Sequence, residues 1–96
     1  MIVSFGDKAT ERLFHGHQGK DIRKFPPDIR KTALRKLDML NSAHSLKDLR
    51  SPPGNRLEAL KGRGKGLYSI RINGHWRIAF KWQATDACEV SITDYH

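Results

Sequence analysis

The first half of the chain carries apolar residues at helical spacing. The short run Ile2-Val3-Ser4-Phe5 predicts an edge strand near the beginning of the chain. Asp7 then precedes a segment in which Ala9, Leu13 and Phe14 fall on one helical face. We therefore expect a helix with Asp7 as its N-cap, since a short acidic side chain can accept hydrogen bonds from the first free backbone amides.

A second, longer helix is predicted to begin at Pro26-Pro27-Asp28, because proline fits a first helical turn and an acidic residue there complements the helix dipole. We expect it to end near Asn41-Ser42. Its apolar stripe consists of residues at helical spacing, namely Ile29, Ala33, Leu34, Leu37 and Leu40. Its remaining surface is assigned to basic residues, namely Arg30, Lys31, Arg35 and Lys36.

The second half of the chain alternates apolar and polar residues with the period of a strand. After a proline-rich loop at 51–55, strands are predicted at 56–61, 67–72, 76–82 and 88–93. In the last three, the apolar residues carry even numbers: Tyr68, Ile70, Ile72, Trp76, Ile78, Phe80, Trp82, Cys88, Val90 and Ile92. The polar residues carry odd numbers: Arg71, Arg77, Lys81, Glu89, Ser91 and Thr93. One sheet face should therefore pack on the helices, while the other stays polar, basic and open.

The Asn73-Gly74 turn can be tested against this alternation. A two-residue hairpin would place Ile70 opposite Arg77 and mix the two faces. A loop of odd length keeps the faces separate, so we predict the three-residue loop Ile72-Asn73-Gly74, with Gly74 left-handed and Ile70 opposite Trp76. The whole pattern predicts an α+β fold in one domain spanning 1–96. Two N-terminal helices pack on one face of a small antiparallel β-sheet.

Composition narrows the partner and the compartment. The chain has 96 residues and a net charge of +8, with 29% charged and 38% hydrophobic residues, which is typical of a folded domain that binds an anionic partner. Nucleic acid is the first candidate and an acidic protein the second. Cys88 is the one cysteine, which excludes an intramolecular disulfide and a cysteine-rich metal site. Without a signal-peptide pattern or a long apolar run, we expect a cytoplasmic protein and no membrane association.

Several residues have the chemistry needed to cleave RNA without a metal. The 2′-hydroxyl of RNA can attack the adjacent phosphate if a base, a cation and an acid are in place. Lys61, Arg77 and the segment Asp94-Tyr95-His96 supply suitable side chains: Arg77 can bind a phosphate, His96 can transfer a proton, and Tyr95 can stack on a base. An arginine on an open sheet face is usually a solvated charge, however. These residues alone indicate a nucleic-acid binder and leave catalysis open.

Other basic residues extend this surface. Arg71 and Lys81 share the open face, and Arg63 and Lys65 lie in a glycine-rich loop that lacks P-loop spacing. That loop is either an RNA-contacting or ribosome-contacting segment or a plain connection between strands. The pair His15 and His17 is weak support for a metal site, which needs three or four ligands. We expect no metal and no cofactor.

The sequence also resembles a known family. The stretch 50–62, the segments 68–73 and 75–80, and the ending Thr93-Asp94-Tyr95-His96 resemble the HigB (plasmid maintenance killer) branch of the RelE/ParE toxin superfamily. The resemblance runs nearly the whole length of the chain. It implies a RelE-like, microbial-ribonuclease-like fold and a type II toxin that cuts mRNA in the ribosomal A site. It also implies a helix-turn-helix (HigA-like) antitoxin as partner, with DNA contacted only through that antitoxin.

The same resemblance implies a role for each candidate residue. Lys61 would contact or activate the scissile phosphate, Arg77 would stabilise its charge, Tyr95 would orient the nucleotide, His96 would transfer a proton and Asp94 would orient its neighbours.

One position departs from the pattern, because some relatives carry histidine where this chain has Glu58. Alternation places Glu58 on the strand face opposite Lys61, which predicts that its carboxylate lies away from the site.

Two alternatives to a ribonuclease toxin stay open at this point. They are a non-catalytic ParE-like toxin and a module that binds RNA or the ribosome.

Overall fold

The computed structural model of the protein describes residues 1–60 and 66–94. It contains two α-helices, α1 (Lys8–Phe14) and α2 (Pro27–Ser42). Four strands follow: β1 (Glu58–Ala59), β2 (Leu67–Arg71), β3 (Trp76–Gln83) and β4 (Asp86–Asp94). Three short 3₁₀ turns lie between them, at Ile22–Lys24, Leu46–Arg50 and Pro53–Asn55.

The N-cap of α1 also fastens this helix to the sheet. Asp7 Oδ1 accepts a hydrogen bond from the Thr10 amide at 2.7 Å, as predicted for a cap. Asp7 Oδ2 accepts a second one from Ser91 Oγ on β4, at 2.8 Å. The backbone amide of Ile92 donates to Thr10 Oγ1 at 2.9 Å. The cap thus joins α1 to β4 through side chains that are 84 residues apart in sequence.

Helix α2 supplies much of the core, as its apolar stripe predicts. It begins at Pro27 and ends at Ser42, within one residue of the predicted bounds. Four of the five stripe residues are buried, namely Ile29, Ala33, Leu37 and Leu40, whereas Leu34 is only half-buried. Lys36 is also buried, so its assignment to the basic surface is wrong. Its position three residues after Ala33 and four before Leu40 lies inside the apolar stripe.

Lys36 is accommodated by a single buried amide. Its Nζ donates a hydrogen bond to Oδ1 of Asn55, whose side chain is fully buried. The Asn55 amide group in turn donates to the carbonyl oxygens of Leu49, at 3.1 Å, and Ser51, at 3.3 Å. Burial lowers the pKa of Lys36, and the nearby charges of Arg35 and Arg71 lower it further.

The sheet is antiparallel and its strands follow the chain in the order β1-β2-β3-β4. Beyond β4, Ile2 and Phe5 form isolated parallel bridges with Ala87 and Val90, where an edge strand was predicted. The first predicted strand, at 56–61, is reduced to Glu58–Ala59 among the described residues. Arg56 adopts a left-handed backbone (φ 43°), which is incompatible with a strand.

The even-numbered residues form the buried face, with one exception. Ile70, Ile78, Phe80 and Val90 are fully buried, as the alternation predicts. Cys88 was assigned to that face, and this is wrong. A register shift between Ala79 and Lys81 adds a residue to β4, and Glu89 within it has a positive φ of 51°. The extra residue reverses the alternation, so Ala87 enters the core and Cys88 lies opposite Lys81 on the open face.

The loop between β2 and β3 has an odd length, as predicted, but its register is different. Ile70 lies opposite Ile78, and the Ile72 amide donates to the Trp76 carbonyl at 2.8 Å. The loop is therefore Asn73-Gly74-His75, so the predicted pairing of Ile70 with Trp76 is wrong. Gly74 is not among the residues with positive φ. The Asn73 side chain closes the turn instead, since its Oδ1 accepts from the amides of His75 and Trp76.

Within residues 1–60 and 66–94, the structure contains no helix with both the length and the apolarity required to cross a bilayer.

Replacing the α1 cap should lower stability. We expect Asp7→Ala to lower the free energy of unfolding by about 1–2 kcal/mol, because the cap and its bond to Ser91 are both lost. Urea denaturation followed by circular dichroism measures this, with Asp38→Ala, an exposed position on α2, as control. Equal midpoints for Asp7→Ala and the parent would contradict the role of the cap.

The buried ammonium should make stability depend on alkaline pH. Because folding lowers the pKa of Lys36 below its ordinary 10.5, the unfolded chain binds more protons between the folded pKa and 10.5. The contribution of Lys36 to stability therefore rises as pH increases through that window. We expect the stability of the parent relative to Lys36→Met to increase from pH 8 to pH 10 in urea titrations. Lys31→Met, at an exposed position of the same helix, should show no such trend.

Candidate active site

A shallow cleft of about 300 Å³ lies on the open face of the sheet, at the end where β2 leads into β3. Among the described residues, its cationic lining is Arg56, Arg71 and Arg77. Glu58, Asn73 and Gly74 complete the lining. Three arginines around one small cleft form a site that suits a phosphate, because a guanidinium presents several donors in a planar fork.

Arg77 is held in one orientation by uncharged oxygen atoms. Its Nε donates to Ser69 Oγ at 2.7 Å, and its Nη2 donates to the backbone oxygens of Arg56, at 2.6 Å, and Ser69, at 3.3 Å. Its side chain is only 13% exposed. Arg77 is therefore a preorganised group whose hydrogen-bond acceptors are all uncharged, in contrast to the usual solvated arginine of an open sheet face.

The strand register places a second cation and a hydroxyl beside Arg77. Arg71 lies directly opposite Arg77 on β2, and Thr93 lies opposite it on β4. Like charges in directly opposed cross-strand positions repel each other. The repulsion between the two arginines is relieved when an anion binds between them, which favours an anionic ligand in the cleft.

Glu58 reaches the cleft, so the prediction that its carboxylate lies away from the site is wrong. Its Oε2 is 3.8 Å from Nη2 of Arg77, and its side chain is 59% exposed. The reason is the register of β1, in which Glu58 lies opposite Ser69, the residue whose hydroxyl binds Arg77. The pairing of β1 with β2, which alternation along β1 does not determine, decides which face Glu58 occupies.

The remaining predicted residues are distributed along the chain. Asp94 ends β4 opposite Trp76, next to the Thr93 that faces Arg77. Lys81 lies on the open face about 13 Å along β3 from Arg77. There its Nζ is paired with Glu89 Oε2 at 2.9 Å, so it is not part of the cleft. Five predicted residues lie outside the described residues: Lys61, Arg63, Lys65, Tyr95 and His96.

His15 and His17 lie just beyond α1, with ring centroids 6.4 Å apart. In the described parts of the chain, no group of three or more histidine, cysteine, aspartate or glutamate residues is arranged to hold a metal ion. Sequence reasoning missed three residues of the cleft, namely Arg56, Ser69 and Asn73. It also missed the buried pair Lys36 and Asn55, which precedes the Arg56 turn. The one available signal was the position of Lys36 within the apolar stripe of α2.

Comparisons with known proteins show which family and which fold the chain resembles. The chain is 42% identical over 82 residues to "Toxin HigB-1" of Vibrio cholerae, covering 85% of this chain and 84% of the relative. It is 28% identical over 101 residues to "Endoribonuclease HigB" of Proteus vulgaris, with both chains fully covered. Among solved structures, a chain of the YoeB-YefM complex from Staphylococcus aureus superposes with a TM-score of 0.61 at 16% identity, covering 100% of this chain and 98% of that one. This likeness confirms the predicted RelE-like α+β fold.

A family model also matches residues 3–96, and it describes the RelE-like toxin of the type II toxin-antitoxin system HigB. Together with the 42% identity to the Vibrio cholerae toxin over most of the chain, this match identifies the family. The chain belongs to the RelE-like HigB toxins of type II toxin-antitoxin systems.

Proposed function

We propose that this protein is an endoribonuclease toxin that cleaves mRNA in the ribosomal A site by metal-free attack of the RNA 2′-hydroxyl. The observation that carries the proposal is the preorganised guanidinium of Arg77 in a cleft lined by three arginines. Neutral oxygen atoms orient this guanidinium without a carboxylate at hydrogen-bond distance, so it can bind a phosphate. A relative of similar length is named an endoribonuclease, which supports the same reaction class.

The reaction requires stabilisation of charge on the phosphate. The 2′-oxygen forms a bond to phosphorus, the bond to the 5′-oxygen breaks, and the upstream product carries a 2′,3′-cyclic phosphate. Negative charge grows on the non-bridging oxygens during this step. Arg77 is already oriented, so it need not reorganise as this charge develops. Fixed donors of this kind stabilise a transition state more than donors that must first be oriented. Arg71 and Arg56 line the same cleft and add to the positive potential.

Proton transfer is assigned to residues by their chemistry and by the family resemblance. His96 transfers a proton, Lys61 contacts or activates the phosphate, Tyr95 orients the nucleotide, and Asp94 orients its neighbours. Asp94 ends the strand in which the preceding Thr93 lies opposite Arg77.

Glu58 competes with the phosphate for Arg77, because its carboxylate lies 3.8 Å from Nη2 of that arginine.

The partners follow from charge and from the family. A net charge of +8 favours mRNA and ribosomal RNA, and Arg63, Lys65, Arg71 and Lys81 are the basic residues proposed to contact them. The inhibitory partner is a helix-turn-helix (HigA-like) antitoxin, through which alone the toxin contacts DNA. A type II toxin-antitoxin family implies such a partner. Because the proposed substrate is mRNA bound to the ribosome, the proposed compartment is the cytoplasm.

Removing the Arg77 guanidinium should abolish cleavage. We expect mapping of mRNA 5′ ends after brief induction to show new ends with the parent and none with Arg77→Ala, whose loss of phosphorane stabilisation should cost roughly 10²–10³ in rate. Arg23→Ala, at an exposed arginine of the 3₁₀ turn Ile22–Lys24, should cleave like the parent.

Cleaved RNA should carry 2′,3′-cyclic or 3′ phosphates, and chelators should not reduce the yield. Intact mRNA with DNA damage would support the ParE-like alternative, and intact mRNA without damage would support a binding module.

Replacing the carboxylate in the cleft should increase activity. We expect Glu58→His to cleave faster than the parent, because it removes a negative charge 3.8 Å from Arg77 and introduces a group able to carry a proton. Glu58→Gln separates these two effects, since it removes only the charge. Cleavage of ribosome-bound mRNA in a purified translation system measures both variants. A Glu58→His variant no more active than the parent would contradict this role, and a large loss in both variants would assign Glu58 to proton transfer.

A further inference from the structure

We propose that Lys36 and Asn55 form a buried positioning pair that holds the Arg56 turn, and through its carbonyl the guanidinium of Arg77, in the active orientation. The inference rests on the proposed function for its activity readout. It concerns residues that do not touch the substrate, so Lys36 and Asn55 are positioning residues. A hydrogen bond joins Lys36 on α2 to Asn55, the backbone leads from Asn55 to Arg56, and a second hydrogen bond joins the Arg56 carbonyl to Arg77.

The first part of this connection between α2 and the cleft is the anchoring of Asn55. Its side chain is fully buried and makes three hydrogen bonds: it accepts from Lys36 Nζ and donates to the carbonyls of Leu49 and Ser51. An asparagine side chain can make about four such bonds, so Asn55 is nearly saturated. The 3₁₀ turn Pro53–Asn55 is thereby fastened to α2 on one side and to the preceding turn on the other.

The second part is the backbone of Arg56. This residue has φ 43° and ψ 58°, a left-handed conformation that a non-glycine residue keeps only when its surroundings impose it. Its conformation directs the Arg56 carbonyl oxygen toward Arg77, whose Nη2 donates to it at 2.6 Å. With the Ser69 hydroxyl on Nε, two acceptors on different elements fix the guanidinium plane. Releasing Asn55 frees the left-handed turn and removes one of these acceptors.

The third part is the cost of burying Lys36. Only 6% of this residue is exposed, and its partner is a neutral amide rather than a carboxylate. Burial lowers the pKa of Lys36, and the charges of Arg35 and Arg71 increase the penalty. An apolar residue would fit the stripe of α2 at lower cost. Lys36 nevertheless donates to Asn55 in the turn beside the cleft. Unfavourable features of this kind are typically kept where a functional site requires them.

Three variants separate positioning from general stability. Lys36→Met keeps the length of the side chain but removes the donor, and Lys36→Arg restores a cationic donor. Asn55→Asp keeps the acceptor for Lys36 but loses the two bonds to Leu49 and Ser51. It forms an ion pair with the lysine, so the chain should still fold if Lys36→Met does not. Lys31→Gln, an exposed lysine of the same helix, is the control for loss of charge.

The measurement has an activity arm and an arm independent of activity. On programmed ribosomes we compare single-turnover cleavage with the affinity for an mRNA blocked by a 2′-O-methyl group at the cleaved nucleotide. Lys36→Met and Asn55→Asp should lower the cleavage rate roughly 10- to 100-fold while affinity changes little, because a misplaced group costs rate more than binding. Lys36→Arg should recover most of the rate. In the free protein, hydrogen exchange at Nε of Arg77, observed by NMR, should accelerate in the same two variants.

The outcomes distinguish the two proposals. Parental cleavage rates and parental exchange at Arg77 Nε in Lys36→Met and Asn55→Asp would overturn the positioning pair. Equal losses in Lys36→Arg and Lys36→Met would also overturn it, because restoring the donor must restore the orientation. If the parent itself cleaves no RNA, the proposed function fails, while the exchange measurement still decides whether the pair orders Arg77.

Discussion

The pairing of β2 with β3 is the constraint on which the rest of the structure depends. Ile70 opposite Ile78 forms the centre of the buried face, and the next pair, Arg71 opposite Arg77, lies on the other face. Because strand side chains alternate with a period of two, one register decides both pairs together. A slip by one residue would bury arginines against α2 and expose the isoleucines. The hydrophobic effect that assembles the core therefore also assembles the cationic cleft.

Arg77 is held by groups that leave its charge available. Its nearest partners are the Ser69 hydroxyl and two backbone carbonyls, which orient the guanidinium without neutralising it. Glu58 forms a loose ion pair with Arg77 at 3.8 Å, and because its side chain is 59% exposed, solvent weakens that pair without abolishing it. The arrangement differs from a structural ion pair, in which a close carboxylate would satisfy the arginine permanently.

Features encoded by local periodicity could be predicted from the sequence, and features created by tertiary contacts could not. The bounds of α2, the Asp7 cap and the buried even-numbered residues follow from spacing within one element. Cys88 was misplaced because a bulge in β4 reverses the alternation, and nothing in the residue types marks that bulge. Glu58 was misplaced because its face depends on the pairing of β1 with β2.

Lys36 was assigned to the surface because lysine is rarely buried, although its spacing fits the apolar stripe. Its partner, Asn55, lies 19 residues away, in a segment that the sequence predicted only as a proline-rich loop. The same region contains three unfavourable features: a buried ammonium, a left-handed arginine and two arginines at directly opposed strand positions. A bound polyanion lowers the electrostatic part of that cost, since it adds negative charge where the cations face one another. Any ligand that binds the folded chain selectively stabilises it by mass action, so anion binding in the cleft and folding of this region are thermodynamically coupled.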